Sequence, residues 1–191
     1  SLDELFNDLH QRCLQLPCSS GASLTVCVID DNKVKCANVG DSHALVITPT
    51  SYYWISESHR LRNNSRERTK LLQHISFITD NGSSIGPARL YPGGLACSLS
   101  IGDADCPHIN CKPCISETVI DRNDILIVAS DGLWDTIKLS RICKVARESF
   151  SASALLREST TFHDDTSIIV ISHFPERSTL FRRVSSNSSI S

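Results

Sequence analysis

The stretch ILIVASDGLWD, residues 125–135, decides the fold. It opens with an uninterrupted apolar run over 125–129, which predicts a strand. Asp131 follows at the end of that strand, and Gly132 lets the backbone turn tightly beside a ligand. A carboxylate on a rigid strand end is suited to binding a cation. The alternative is that Asp131 caps the following helix, because Asp is a preferred residue at helix N-termini.

Segments on either side of this stretch supply the other elements. Upstream, ASLTVCVID, KVKCANV and HALVIT are rich in β-branched residues, and Asp31-Asn32 and Gly40-Asp41 separate them, which predicts an antiparallel meander. YYWIS adds a strand, and further strands are expected near 115–120 and at TSIIVISH. Helices are predicted over 2–15, 67–75, 139–148 and 151–158, and a loop over 80–94. This order of elements predicts an α+β fold with antiparallel sheet.

Composition excludes several classes of protein. The chain has 191 residues, of which 40% are apolar and 21% charged, enough for one ordinary core. A net charge of -2 gives no basis for nucleic-acid binding. The longest apolar run, 125–129, is far below the roughly 20 residues of a membrane span, so no membrane association is expected.

Cysteine usage and the first residues bear on localisation. Nine cysteines, an odd number in a chain of this size, indicate reduced thiols. The acidic start SLDELFNDL does not resemble a secretory signal, so cytoplasm, nucleus or both are expected. The chain contains no methionine and starts at Ser1, which suggests a segment of a longer product.

A second acidic pair, Asp164-Asp165, stands immediately before the last apolar strand. Two adjacent acids repel each other, so a positive partner is expected, and Mg²⁺ or Mn²⁺ takes such oxygen ligands. The alternative for an isolated pair is a solvated turn. Gly40-Asp41 and Gly102-Asp103 are, individually, ordinary turn sequences.

Taken together and in order, these motifs are specific. SSGASLTVCVI, CANVGDSHALV, GGLACSLSIGD, ASDGLWD and HDDTSIIVI resemble, in sequence order, the motifs of the PPM-type (type 2C) serine/threonine protein phosphatases. The similarity runs over residues 2–174 and is strongest in the last two motifs. We therefore expect a partial phosphatase domain at 1–174 and a disordered tail rich in serine and arginine at 175–191.

The resemblance implies a four-layer α-β-β-α sandwich with two antiparallel sheets, and a monomer that acts on phosphoproteins. It implies two divalent metals, Mn²⁺ or Mg²⁺, that activate a water for attack on phosphoserine or phosphothreonine. Asp131 and Asp164 would be ligands of one metal. Asp41, sharing Asp131, would form a weaker third site to which Asp135 contributes, and Gly132 would supply the close turn.

The chain also departs from the family pattern. His43 and Leu99 stand where the family has arginine, and the acidic pair and DGHGG motif of the family have no match. We therefore predict at most half of a dinuclear site in this chain, weak Mn²⁺ binding and little turnover. A catalytically inactive homologue that regulates a partner or binds phosphoproteins is the alternative.

A second metal site is suggested by the spacing C-x-H-x2-C-x2-C. Its residues, Cys106, His108, Cys111 and Cys114, include enough soft ligands for tetrahedral zinc. Structural zinc sites more often pair two separated knuckles, and a cysteine-rich chain produces C-x2-C by chance. Both interpretations stay open at this point.

Overall fold

The computed structural model describes residues 1–72, 78–79, 88–159 and 164–174. Its helices are α1 (Leu2–Leu14), α2 (Ser65–Leu72), α3 (Asp131–Thr136), α4 (Leu139–Ser149) and α5 (Ala152–Glu158). Its strands are β1 (Gly21–Ala22), β2 (Leu24–Asp30), β3 (Lys33–Val39), β4 (His43–Ile47), β5 (Tyr52–Trp54), β6 (Ile78–Thr79), β7 (Arg89–Leu90), β8 (Ile101–Gly102), β9 (Cys114–Val119), β10 (Ile125–Ala129) and β11 (Ile168–Ile171).

The two larger sheets are both antiparallel. One has the order β2-β3-β9 and the other the order β11-β10-β4-β5, while β1 with β8 and β6 with β7 form short ribbons. The apolar run that opens the deciding stretch is β10, and it lies in the interior of the second sheet, between β4 and β11. A strand in that position has neighbours on both edges and helix or sheet on both faces, which explains its composition.

Alternation along the strands divides the core into layers. Ala44 and Val46 of β4 face the other sheet and pack with Val34 and Cys36 of β3. Their neighbours Leu45 and Ile47 point the opposite way, toward helices α3 to α5. Because successive side chains of a strand point to opposite faces, β4 contributes to both layers.

Helices cover the outer faces of both sheets. Phe6 of α1 is fully buried against Ala37 and Val39 of β3. A capping box formed by Ser1 and Glu4 begins this helix. On the other side, α4 packs its apolar stripe onto β4 and β10 and contacts α5. The layer order is thus helix, sheet, sheet, helix, as the resemblance implied.

Two details of the sequence analysis need correction. The predicted meander is wrong at one junction: β3 and β4 belong to different sheets, because the chain turns at Gly40, whose φ of +87° redirects it. The predicted loop over 80–94 contains β7, and residues 80–87 lie outside the described part of the chain. The predicted helix 67–75 begins earlier, at Ser65, and its residues 73–75 also lie outside that part.

The other predicted elements are confirmed within a residue or two. The predicted tail at 175–191 lies outside the described residues and stays a prediction. Within the described ranges, no helix is both long and apolar enough to cross a bilayer.

Candidate functional site

Strand register brings Asp41 and Asp131 to one end of the second sheet. In the antiparallel pairing of β4 with β10, His43 is opposite Ala129. Asp41 lies two residues before His43, and Asp131 two residues after Ala129. Both carboxylates therefore leave the sheet at the same edge, although ninety residues of sequence separate them.

The same logic brings in Asp164. Strand β11 pairs with the other side of β10, with Ile168 opposite Ala129, so the loop before β11 starts at this edge too. Asp164 lines one cavity with Asp41, Asp131 and Asp135. The sequence expectation that Asp131 and Asp164 converge is met by the geometry, while their role as metal ligands stays a prediction. Asp164 also accepts a 2.7 Å hydrogen bond from the N–H of Asp165, as expected of a turn.

Gly132 makes this convergence sterically possible. A side chain at this position would place its Cβ 2.4 Å from Oγ1 of Thr166 and 2.7 Å from the carbonyl oxygen of Asp165. The start of α3 therefore packs directly on the loop that follows Asp164. Glycine is required for close backbone approach, and here it joins the two acidic segments.

The capping alternative for Asp131 is wrong. Ser130 occupies the N-cap of α3, and Asp131 is the first residue of the helix. The hydroxyl of Ser130 accepts a 2.9 Å bond from the N–H of Ser167 and also contacts the carbonyl of Asp165. Its side chain thus ties α3 to the β11 loop, and the carboxylate of Asp131 is directed to a cation.

That cation is Arg60, a residue the sequence analysis did not single out. Its guanidinium donates to Asp41 Oδ2 at 2.8 Å, to Asp131 Oδ2 at 2.7 Å and to Asp135 Oδ1 at 2.7 Å. Arg60 and the first two carboxylates are mostly shielded from solvent, whereas Asp135 is 56% exposed. A single arginine after a strand carries no sequence signal of this kind; only the fold aligns it with three acids.

The electrostatics of the site demand positive charge. Burial raises the pKa of Asp131, and the neighbouring Asp41, Asp164 and Asp135 raise it further, against the opposing effect of Arg60. A carboxyl whose pKa is raised by burial and by neighbouring carboxylates carries a negative charge that is incompletely neutralised, so it favours a nearby cation. Arg60 offsets part of this repulsion.

An uncharged wall faces the acids. His43, Trp54 and Ser56 line a cavity that also contains Asp41, Arg60 and Asp131. Burial lowers the pKa of His43 to about 4, so the ring is neutral at physiological pH, and its Nδ1 contacts Ser56 Oγ at 3.0 Å. At this position, where the family has arginine, His43 is held by that contact with Ser56 and by an edge contact with Trp54.

The zinc interpretation of Cys106, His108, Cys111 and Cys114 is not supported. No three of these four ligand atoms come together in the described residues. Cys106 packs with Leu61 in one apolar cluster, and Cys111 packs in another beside α1. The spacing arises from a loop that distributes its cysteines among separate cores.

Asp41, Asp131, Asp135 and Asp164 together form what we call the acidic edge of the second sheet. The chemistry of its donor atoms suits a hard divalent cation. These atoms are all carboxylate oxygens, which Mg²⁺ and Mn²⁺ prefer. Asp41, Asp131 and Asp135 share one positive group, Arg60, which stands between their oxygens. In the described residues no three carboxylate oxygens of this edge lie within 4.8 Å of one another, so a metal would have to displace Arg60 and draw the oxygens together. Asp131 and Asp164 would hold one metal, and Asp41, sharing Asp131, would form a weaker neighbouring site with Asp135 at the exposed rim.

Comparison with known proteins decides the family. The sequence profile of "Protein phosphatase 2C" matches residues 1–165. The chain belongs to the protein phosphatase 2C family. A curated plant relative, "Probable protein phosphatase 2C 12" of Arabidopsis thaliana, is 32% identical over 171 residues, which is 82% of this chain and 40% of that protein.

Solved structures agree on the protein phosphatase 2C fold. A serine-threonine phosphatase 2C from Toxoplasma gondii superposes with a TM-score of 0.71 at 17% identity, over 87% of this chain and 63% of that one. A C. elegans sex-determining protein gives 0.75 at 17% identity, over 88% and 44%. The chain spans about two fifths of the length of the curated relatives it matches. Members of this family are metal-dependent, which agrees with the acidic edge.

Proposed function

We propose that this chain is part of a metal-dependent phosphatase that hydrolyses phosphoserine and phosphothreonine in proteins. The observation that carries the proposal is the convergence of Asp41, Asp131 and Asp164 on one cavity at one sheet edge. Family membership supports it, because the relatives are named as probable protein phosphatases.

The residues of this chain would have distinct parts in that reaction. Asp131 and Asp164 would hold one metal from two adjacent strand ends, and Gly132 keeps these ends in contact. Asp41, sharing Asp131, would form a weaker neighbouring site to which Asp135 contributes. A bound divalent metal lowers the pKa of water and neutralises charge on phosphoryl oxygens. The printed chain has no second Asp-Gly that could match DGHGG, so the second metal would need residues outside it.

Arg60 favours a second candidate function. Its guanidinium already occupies an oxygen on each of three carboxylates that a metal would need. A chain in which arginine permanently replaces the metal would be an inactive homologue that binds phosphoproteins or regulates a partner. The two candidates differ in whether Mn²⁺ displaces Arg60.

Activity of the full-length protein on a phosphothreonine peptide, with Mn²⁺ titrated, tests the proposal. We expect Mn²⁺-dependent release of phosphate, and Asp131→Asn should lower kcat at least about 100-fold, since loss of a ligand exceeds loss of its supporting contacts. Asp8→Asn, on the exposed face of α1, is the matched control and should leave kcat unchanged. Circular dichroism confirms that both variants are folded.

The outcomes separate the two candidates. No Mn²⁺-dependent hydrolysis by the wild type, together with retained binding of the phosphopeptide, supports the inactive homologue. Wild-type turnover that Asp131→Asn leaves intact removes Asp131 from the metal site. For residues 1–191 alone we expect weak Mn²⁺ binding and little turnover.

A further inference from the structure

Glu57, His59 and Cys114 form a second cluster of metal-binding side chains, distinct from the acidic edge. One ligand atom from each lies within 4.8 Å of the others. Among the described residues, no other group of three His, Cys, Asp or Glu side chains brings its ligand atoms this close together. Glu57 and His59 lie on the segment after β5, and Cys114 begins β9. No local sequence spacing joins them.

Buried contacts hold the two backbone segments together. Asn38 of β3 is fully buried and opposite Cys114 in the β3–β9 pairing. Its amide group donates to the carbonyl of Glu57 at 2.7 Å, and its Oδ1 accepts from the N–H of Glu57 at 3.0 Å. The two hydrogen bonds fix the backbone of Glu57 beside the start of β9.

The tautomer of His59 is fixed as it is in metal-binding histidines. Its Nδ1 lies 3.1 Å from the carbonyl oxygen of Gly40, which only accepts, so Nδ1 carries the proton. With the proton on Nδ1, the lone pair of Nε2 is directed into the cluster. Nε2 faces Cys114 Sγ at 3.3 Å. A backbone acceptor on the far nitrogen is a common outer contact of metal-binding histidines.

The three side chains already contact one another through the sulfur of Cys114. Its Sγ lies 3.3 Å from Glu57 Oε2 and 3.3 Å from His59 Nε2, and both are acceptors. One S–H can donate to only one of them at a time, so the thiol proton is shared between the two contacts. Glu57 Oε1 accepts from the amide of Asn64 at 3.3 Å, which orients the carboxylate toward the sulfur.

We propose that Glu57, His59 and Cys114 bind a divalent ion of the zinc class through carboxylate oxygen, Nε2 and thiolate. Binding expels the thiol proton to solvent, and the thiolate and carboxylate together neutralise the ion's charge. Tetrahedral zinc places its sulfur and nitrogen or oxygen ligands roughly 3.6 Å apart. The observed 3.3 Å separations need to widen by only a few tenths of an ångström.

Access and selectivity agree with this assignment. Cys114 lines a surface cavity with Lys70, Ser98 and His108, through which an ion can enter and a water can take the fourth position. Thiolate and imidazole favour zinc over Mg²⁺ or Mn²⁺, whereas the all-carboxylate edge has the opposite preference. Arg60 follows His59 directly, so a bound ion would also anchor the backbone of the residue that occupies the acidic edge.

Titration of the full chain with Zn²⁺ against a chromophoric chelator, and with Co²⁺ by absorbance, tests the proposal. We expect one Zn²⁺ per chain and a thiolate-to-cobalt charge-transfer band. Cys114→Ser should abolish that band and weaken Zn²⁺ binding at least about 100-fold, and Glu57→Gln should weaken binding while retaining the band. Cys111→Ser is the matched control and should behave as the wild type.

Three results would overturn the proposal: no charge-transfer band in the wild type, Zn²⁺ binding unchanged in folded Cys114→Ser, or Zn²⁺ lost in Cys111→Ser. The last would point instead to the Cys106–Cys114 loop. Circular dichroism of each variant separates loss of the ligand from loss of the fold. None of these measurements depends on phosphatase activity, so they succeed or fail independently of the proposed function.

Discussion

Replacement of Arg60 by methionine should tighten Mn²⁺ binding while it weakens the metal-free fold. Methionine retains much of the length and apolar character of the side chain but removes the guanidinium that three carboxylates share. A metal at the acidic edge must break the hydrogen bonds from Arg60 to Asp41 and Asp131 before it can use those oxygens. In the variant these oxygens are available at once.

The magnitude follows from exposure. Charge-assisted hydrogen bonds contribute about 1.5–3 kcal/mol when buried but well under 1 kcal/mol when solvated. The carboxylates of Asp41 and Asp131 are 19% and 29% exposed, so the hydrogen bond from Arg60 to each should contribute about 1 kcal/mol. Asp135, at 56%, adds little. The total of about 2 kcal/mol corresponds to roughly 30-fold tighter Mn²⁺ binding.

In the presence of EDTA, the unfolding free energy of Arg60→Met should be lower than that of the wild type by the same amount, about 2 kcal/mol. The reason is that repulsion among the acids is no longer offset. Isothermal titration calorimetry measures the affinity for Mn²⁺, and urea denaturation measures stability. Arg141→Met is the control: it removes an equal charge from the exposed ion pair with Glu158 and should leave the affinity for Mn²⁺ unchanged. Unchanged or weaker Mn²⁺ binding in folded Arg60→Met would show that Arg60 does not compete with the metal.

Two further predictions concern the neighbours of the acidic edge. Gly132→Ala should cost about 1–3 kcal/mol of stability and weaken Mn²⁺ binding, since its Cβ meets Thr166 and Asp165. Adding Thr166→Ala to this variant should not restore the stability, because the carbonyl of Asp165 remains. Full stability of Gly132→Ala in urea denaturation would contradict the packing described. The pKa of His43 is lowered to about 4, below its unfolded value of 6.5, so the unfolded state binds the proton first and stability should fall as pH decreases from about 6.5 to about 4. His43→Gln should flatten this fall, measured by urea denaturation across that range, whereas exposed His108→Gln should not; an equal slope in His43→Gln would assign the effect elsewhere.

Much of the fold could be predicted from local pattern. The apolar run of β10, the β-branched segments of β2 to β4 and the amphipathic spacing of α1 and α4 give their element types, because burial on one or two faces leaves a fixed period in the sequence. The junction at Gly40 could not be predicted. A glycine followed by aspartate suits a hairpin as well as a change of sheet, and packing between the sheets decides which occurs.

The candidate site divides in the same way. Asp131 and Asp164 could be found because each adjoins a recognisable strand, and the motifs around them resemble a family. Arg60 could not be found, since its partners Asp41, Asp131 and Asp135 lie 19, 71 and 75 residues away. The zinc hypothesis for the Cys106–Cys114 loop shows the converse error, because close spacing in sequence did not bring the ligand atoms together.

The sequence by itself determined which segments are strands and helices, which acids end the strands, and which family the motifs resemble. Only the tertiary structure decided that Arg60 lies among three of those acids and that Glu57, His59 and Cys114 meet. The physical reason is that period and propensity act over a few residues, whereas strand register and sheet packing set distances between residues far apart in the chain.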